Sequence, residues 1–187
     1  MSSFTIHDVN SAPAGSKAIL EGAQKGMGFV PNMFGVFAAS PAVLEAYTTL
    51  AGLQDAKTDF SETERQVLFL SISAHNTCDY CVSAHSTISK GKKVDGAVVE
   101  AVRNGTPLAD AKLEALRTFA TTMVEKRGFP GDAALAAFRA AGYGDRHVLE
   151  VILAIAFKTI SNFTNHVAGT AIDDAFQPTL WTATAPV

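Results

Sequence analysis

Apolar residues recur along this chain at spacings of three and four, the period of an α-helix. No run alternates apolar and polar positions between turn residues as a half-buried strand would. The pattern predicts an all-α protein of about seven to eight helices. A first helix is expected over 14–26, closing near Gly26 and Gly28, and in "FVPNMFGVFAASP" Pro31 and Pro41 bracket a short apolar helix. Another begins at Pro41. In "SETERQVLFLSISAH", Ser61 and Glu64 stand at capping-box spacing, so each side chain can satisfy a free amide at the start of a helix that runs to His75. "CDYCVSAHSTISKG" reads as the next helix, with Asn76 or Thr77 as N-cap and Gly91 as C-cap. Helices over 95–104, 108–127 and 131–141 follow, the last two closed by Gly128 and Gly142 in the left-handed conformation. The final helix starts near Asp145 and ends within 168–175, before Pro178 and a tail, "TLWTATAPV", without clear pattern.

A chain of 187 residues holds one hydrophobic core, and no linker or low-complexity stretch divides it, so 1–187 is expected to be a single domain. Shifting the sequence by 81 positions aligns Arg65, Val67, Leu68 and His85 with Arg146, Val148, Leu149 and His166, which suggests two related helical halves. Apolar residues make up 48% and charged residues 18%, the latter below the usual value of about 25%. A single copy would struggle to cover itself, and a homo-oligomer is expected. Net charge is −3 with no block of Lys or Arg, which argues against nucleic acid and anionic lipid as partners. The greasiest stretch, "VLEVILAIAFKTISNF", is interrupted by Glu150 and Lys158 and reads as a buried helix rather than a membrane span. The N-terminal residues lack the basic and apolar regions of a secretory signal, so the cytoplasm is expected.

The chemistry concentrates in "NTCDYCVSAH", which holds both cysteines of the chain. On a helix, Cys78, Cys81 and His85 fall within about 60° of one another, on one stripe. The two sulfurs are one turn apart, within reach of a disulfide, and His85 lies one turn beyond Cys81. A thiol must be activated by deprotonation. The free amides of a helix N-terminus and a nearby imidazole both do this; the first favours Cys78 and the second Cys81. Zinc is disfavoured. His75, Cys78, Cys81 and His85 would form a two-Cys, two-His set, but one straight helix rises about 15 Å between its ends. Four ligands of one ion must converge within about 4 Å. No metal or cofactor is expected, and the remaining alternatives are a redox dithiol or a pair of ordinary buried cysteines.

"SETERQVLFLSISAHNTCDYCVSAHSTI" resembles the core of the alkylhydroperoxidase-D-like (AhpD-like) branch of the carboxymuconolactone decarboxylase family. That branch carries a glutamate followed by C-x-x-C-x-x-x-H. "GFVPNMFGVFAASPAVLEAYTTL" and "ISNFTNHVAGTAIDDAF" are similar to its flanking segments, so the likeness spans about 25–177. The resemblance implies an all-helical bundle assembling as a dimer, trimer or hexamer, with thiol-dependent peroxidase or disulfide reductase activity and an antioxidant role. It implies Cys81 as the attacking sulfur, Cys78 as the resolving one and His85 as their proton partner. The reductant it implies is a dithiol, either a lipoyl group or a thioredoxin-type protein.

Two positions depart from that pattern. The relay glutamate is replaced by Gln66, which can hold a hydrogen bond but cannot carry a proton, and Tyr80 stands between the cysteines. Glu64 is the nearest carboxylate but is already expected to cap its helix. His75 is a candidate replacement base. Asn165 and His166 match the family's C-terminal pair and are candidate supporting residues, while Met27, Met33, Phe34 and Phe37 are candidates to line an apolar pocket. Loss of the relay glutamate leaves a non-catalytic redox sensor or binding protein as the alternative. Lactone decarboxylation, the other activity in the wider family, does not need the cysteines, and their presence counts against it.

Overall fold

In a computed structural model, which describes residues 4–183, all regular structure among those residues is helical. The elements are α1 (Ala14–Met27), α2 (Asn32–Phe37), α3 (Pro41–Lys57), α4 (Glu62–His75), α5 (Asp79–Gly91), α6 (Gly96–Arg103), α7 (Ala111–Glu125), α8 (Gly131–Ala140), α9 (Asp145–Ala168) and a 3-10 helix over Asp174–Thr179. Eight of these elements are longer than six residues, in line with the seven to eight expected, and the six-residue α2 and 3-10 helix stand beside them among the described residues. The 3-10 helix lies in and just before the segment that showed no pattern.

Local signals set most boundaries. Ser61 and Glu64 form the capping box: the Glu64 amide donates to Ser61 Oγ, and the Ser61 amide donates to Glu64 Oε2 at 2.8 Å. The corner between α4 and α5 differs from expectation. Asn76 closes α4, Thr77 takes the left-handed region at φ +54°, and Cys78 itself is the N-cap of α5. Amides of Thr77 and Cys78 donate to carbonyls of Ala74 and Ser73, so the corner satisfies the end of α4 in the way a glycine-closed helix does. Asn76 lies two residues before that cap, and its side-chain amide donates to Asn162 Oδ1 on α9. At the other end of α5 the C-cap is Lys92, one residue past Gly91.

α4 is the central element, packed against α5, α6, α7 and α9. Val67, Leu68, Phe69, Leu70 and Ile72 are all buried, so nearly every face of this helix meets protein. α9 crosses beside it and also packs on α2 and α3. By length and mean hydropathy (1.2) α9 would pass for a membrane span. Its polar residues tell otherwise: Glu150, Lys158, Ser161, Asn162 and Asn165 are buried against the rest of the chain. Its outer face exposes Leu149, Ile152, Phe163 and Val167. The positions matched by the 81-residue shift do not share environments. Leu68 is buried where Leu149 is exposed, His85 is buried where His166 is exposed, and α9 runs unbroken where α4 and α5 turn a corner.

The C-terminal segment is strapped along α5. Thr179 Oγ1 donates to the Ser83 carbonyl at 2.8 Å, the Trp181 amide donates to Ser83 Oγ at 3.0 Å, and Arg103 donates to the carbonyls of Thr179 and Leu180. Before the 3-10 helix, Asp173 accepts from Tyr80 of α5 and from the Asn32 amide at the start of α2. The tail "TLWTATAPV" continues past Ala183, outside the described residues.

Candidate active site

Both cysteines are free thiols, and both are almost sealed, with 1% of Cys78 and 2% of Cys81 exposed. Cys78 caps α5 and Cys81 lies in its first turn. Asn165 reaches across from α9 and directs its side-chain amide at both sulfurs, 3.3 Å from Cys81 Sγ and 3.9 Å from Cys78 Sγ. Burial pushes the Cys81 thiol up, but the Cys78 thiol hydrogen, the Lys158 ammonium and the side chains of Ser161 and Asn162 outweigh it. They hold Cys81 well below the ordinary thiol range. Cys78 is pushed far the other way, first because it gives its hydrogen to Cys81 and then by burial. Within the pair, ionisation is therefore favoured at Cys81 over Cys78. The helix terminus, which pointed to Cys78, is overruled by the hydrogen that Cys78 gives to Cys81 and by the Lys158 cation, which comes from a distant part of the chain.

That cation changes the role open to His85. Gln66 Nε2 donates to Glu62 Oε1 at 2.9 Å, so its carbonyl oxygen is turned toward the imidazole, 3.0 Å from His85 Nδ1. The carbonyl can only accept, which puts the ring hydrogen on Nδ1. Nε2 is then an acceptor, and Lys158 Nζ lies 3.0 Å from it. Burial, then the lysine charge, holds His85 well below the ordinary imidazole range, so the ring is neutral. Both nitrogens are committed. The expected proton transfer between Cys81 and His85 is not the arrangement found, because Lys158 occupies the acceptor nitrogen. His85 orients Lys158, and a line of hydrogen bonds runs from Glu62 through Gln66 and His85 to the lysine.

The other expected residues divide. Gln66 holds the hydrogen bond expected of it, and Asn165 faces the sulfurs. His166 is exposed and stacks near Phe163, on the side of α9 away from them. His75 does not approach the thiols; with Arg103, Arg117 and Trp181 it lines a separate cavity of about 310 Å³. Tyr80 is buried and gives its hydroxyl hydrogen to Asp173, which with burial pushes its pKa up. Glu64 is the cap, and it also pairs with Lys112 at 3.0 Å.

A cavity of about 300 Å³ opens onto this cluster. Cys81, His85, Lys158 and Gln66 lie along it, and its apolar walls include Met33, Phe34, Tyr47, Phe69, Phe157 and Phe176. Met27 also contributes, whereas Phe37 packs in the core instead. Sequence reading missed Lys158 and Glu62. The first had a signal, a lone cation inside an apolar helical stretch, and the second stands four residues before Gln66 on the same helix face.

The sequence model of the carboxymuconolactone decarboxylase family matches residues 41–122, which carry α4, α5 and both cysteines. Among solved structures, an uncharacterized peroxidase-related protein with an AhpD core from Ralstonia eutropha JMP134 superposes with a TM-score of 0.84 at 23% identity, covering 100% of this chain and 98% of that one. A peroxidase-related protein from Silicibacter sp. TM1040 gives 0.78 at 22% identity, covering 93% and 94%. The debrominase Bmp8, in a Cys-to-Ala variant bound to 2,3,4-tribromopyrrole, gives 0.79 at 19% identity, covering 96% of each chain. No curated protein matches the chain. Over 41–122, less than half of its length, the chain is thus similar to the carboxymuconolactone decarboxylase family, and as a whole it has the AhpD-like helical fold.

Proposed function

We propose that this protein is a thiol-dependent peroxidase of the antioxidant type, in which Cys81 reduces a hydroperoxide and Cys78 resolves the product. One observation carries this reading: two free cysteines one turn apart, with Cys81 on the wall of an apolar cavity that Lys158 also lines and with the Asn165 side-chain amide 3.3 Å from its sulfur. The thiolate attacks the terminal peroxide oxygen and the O–O bond breaks, leaving a sulfenic acid on Cys81 and an alcohol. Cys78 then displaces that oxygen as water and a disulfide forms. An external dithiol, a lipoyl group or a thioredoxin-type protein, restores the pair by exchange. The work is assigned to the cytoplasm. The exposed apolar stripe of Leu149, Ile152, Phe163 and Val167 on α9 is assigned to contact between copies in a dimer, trimer or hexamer.

A second reading is favoured by the aromatic walls of the cavity and by the debrominase among the fold relatives. A halogenated aromatic ring offers Cys81 an electrophilic halogen in place of an electrophilic oxygen. The ring carbon takes a proton, the sulfur takes the halogen, and Cys78 expels halide as the disulfide forms. One experiment separates the readings: consumption of an organic hydroperoxide or release of bromide with a dithiol present, alongside mass spectrometry of alkylated protein after a stoichiometric oxidant pulse. Peroxide turnover that disappears in Cys81→Ser supports the first reading, and turnover that survives it eliminates the first. A pair that oxidises once and is never recycled identifies a sensor.

A further inference from the structure

We infer that Lys158 is the catalytic acid of this site, handing its proton to the oxygen that leaves when Cys81 attacks a hydroperoxide. The inference rests on the peroxidase reading and assigns the proton that this reading leaves without a donor. Breaking the O–O bond releases an alkoxide, a strong base, into a cavity with apolar walls, where an unprotonated oxyanion is costly. A group on that cavity must supply a proton. His85 has none to give, since its single ring hydrogen is held by Gln66 and its other nitrogen is an acceptor. Tyr80 has committed its hydroxyl to Asp173. Gln66 is an amide, and Glu62 is already accepting from Arg65 and Gln66. Lys158 is 1% exposed, lines the cavity together with Cys81, and spends one N–H on His85, which leaves two directed elsewhere. Its ammonium also lies 5.3 Å over the Phe157 ring, which anchors the head group beside the cavity.

The protons balance around the cycle. At rest the site holds a Cys78 thiol, a Cys81 thiolate and a Lys158 ammonium. Attack transfers the terminal hydroxyl of the peroxide to Cys81, the alkoxide takes a proton from Lys158, and alcohol leaves with the lysine as a neutral amine. Cys78 forms the disulfide, and its hydrogen departs with the hydroxyl as water. When the dithiol reductant delivers its two electrons and two protons, one proton returns to Cys78. The other returns to Lys158, and the ion pair with Cys81 is restored. No charge is gained or lost at any step. The same lysine thus favours the thiolate before attack and discharges the leaving group after it.

The test compares two oxidants in three variants. An alkyl hydroperoxide expels an alkoxide, which needs a proton; a peroxyacid expels a carboxylate, which is stable without one in neutral water. Lys158→Met should cut single-turnover reduction of the alkyl hydroperoxide by about 100-fold or more and that of the peroxyacid by about tenfold or less. Lys158→Arg keeps the charge but holds its protons too tightly to give them up. It should keep the Cys81 thiolate ultraviolet absorbance and lose at least about tenfold more of the alkyl hydroperoxide rate than of the peroxyacid rate. Equal losses on both oxidants in Lys158→Met would assign the residue a structural role and overturn the proposal. So would the leaving-group signature appearing in Tyr47→Phe instead, since that phenol also lines the cavity. Wild-type protein that reduces neither oxidant, or Cys81→Ser that reduces both, rejects the peroxidase reading itself, a result visible before any Lys158 variant is measured.

Discussion

The side-chain amide of Asn165 donates to both sulfurs, and replacing it gives a prediction whose size follows from geometry. A hydrogen bond to a charged group contributes about 1.5–3 kcal/mol. Sulfur is a diffuse acceptor and the contact to Cys81 is 3.3 Å, so the lower end applies. At about 1.4 kcal/mol per pKa unit, Asn165→Ala should raise the Cys81 pKa by about one unit. Asn165→Asp should raise it further, because it replaces a donor with a group that repels the thiolate or competes for its donors. The acid limb of the alkylation pH profile should therefore move up by about one unit in Asn165→Ala. The assay is thiolate absorbance and iodoacetamide alkylation followed across pH, with peptide mapping to separate the two cysteines. An acid limb that stays in place in both variants would refute the claim that Asn165 helps to hold the charge.

Other consequences can be checked directly. Cys78→Ser should leave Cys81 able to react once, so that one oxygen equivalent accumulates on it as a dimedone-trappable sulfenic acid and no disulfide forms. Glu64→Gln removes the capping carboxylate and should lower stability by about 1 kcal/mol, read as a fall in melting temperature. Despite burial, the amide and hydroxyl of Ser61, with Lys112 and Tyr143, hold the Glu64 pKa at about 2. The stability it supplies is thus present above the ordinary carboxylate pKa and is lost as pH falls toward 2, so the variant's deficit should shrink in acid. Tyr80→Phe leaves Asp173 with the Asn32 amide but without its hydroxyl donor, and should speed proteolysis or hydrogen exchange over 170–183 with little change in α4.

The helices were legible because their signals are local. Gly28 closes α1 at φ +84°, the Ser61–Glu64 box opens α4, and Gly128 and Gly142 sit in the left-handed region as expected. The stripe of Cys78, Cys81 and His85 was legible for the same reason, since one helix carries all three. What the stripe could not reveal is the partner of its imidazole. Lys158 lies 73 residues from His85 and reaches it only because α9 packs beside α4 and α5. A single sequence does not encode that contact in any spacing. Glu62 was open to inference: it sits at the i−4 position from Gln66 and shares its face, whereas Glu64 at i−2 does not. Asn165 and His166 show the reverse limit. They are adjacent in sequence, and a rotation of about 100° sends one to the sulfurs and the other to solvent.

The left-handed step at Thr77 sets the angular phase of the helix that follows it. Removing one residue between His75 and Cys78 would swing every later side chain of α5 by about 100° and draw it back by about 1.5 Å. Both sulfurs would lose sight of Lys158 and Asn165 together, although each remained in the chain with its neighbours unchanged. Length at this joint is thus a harder constraint than composition, and a one-residue indel there should abolish thiol reactivity more completely than exchanging Thr77 itself.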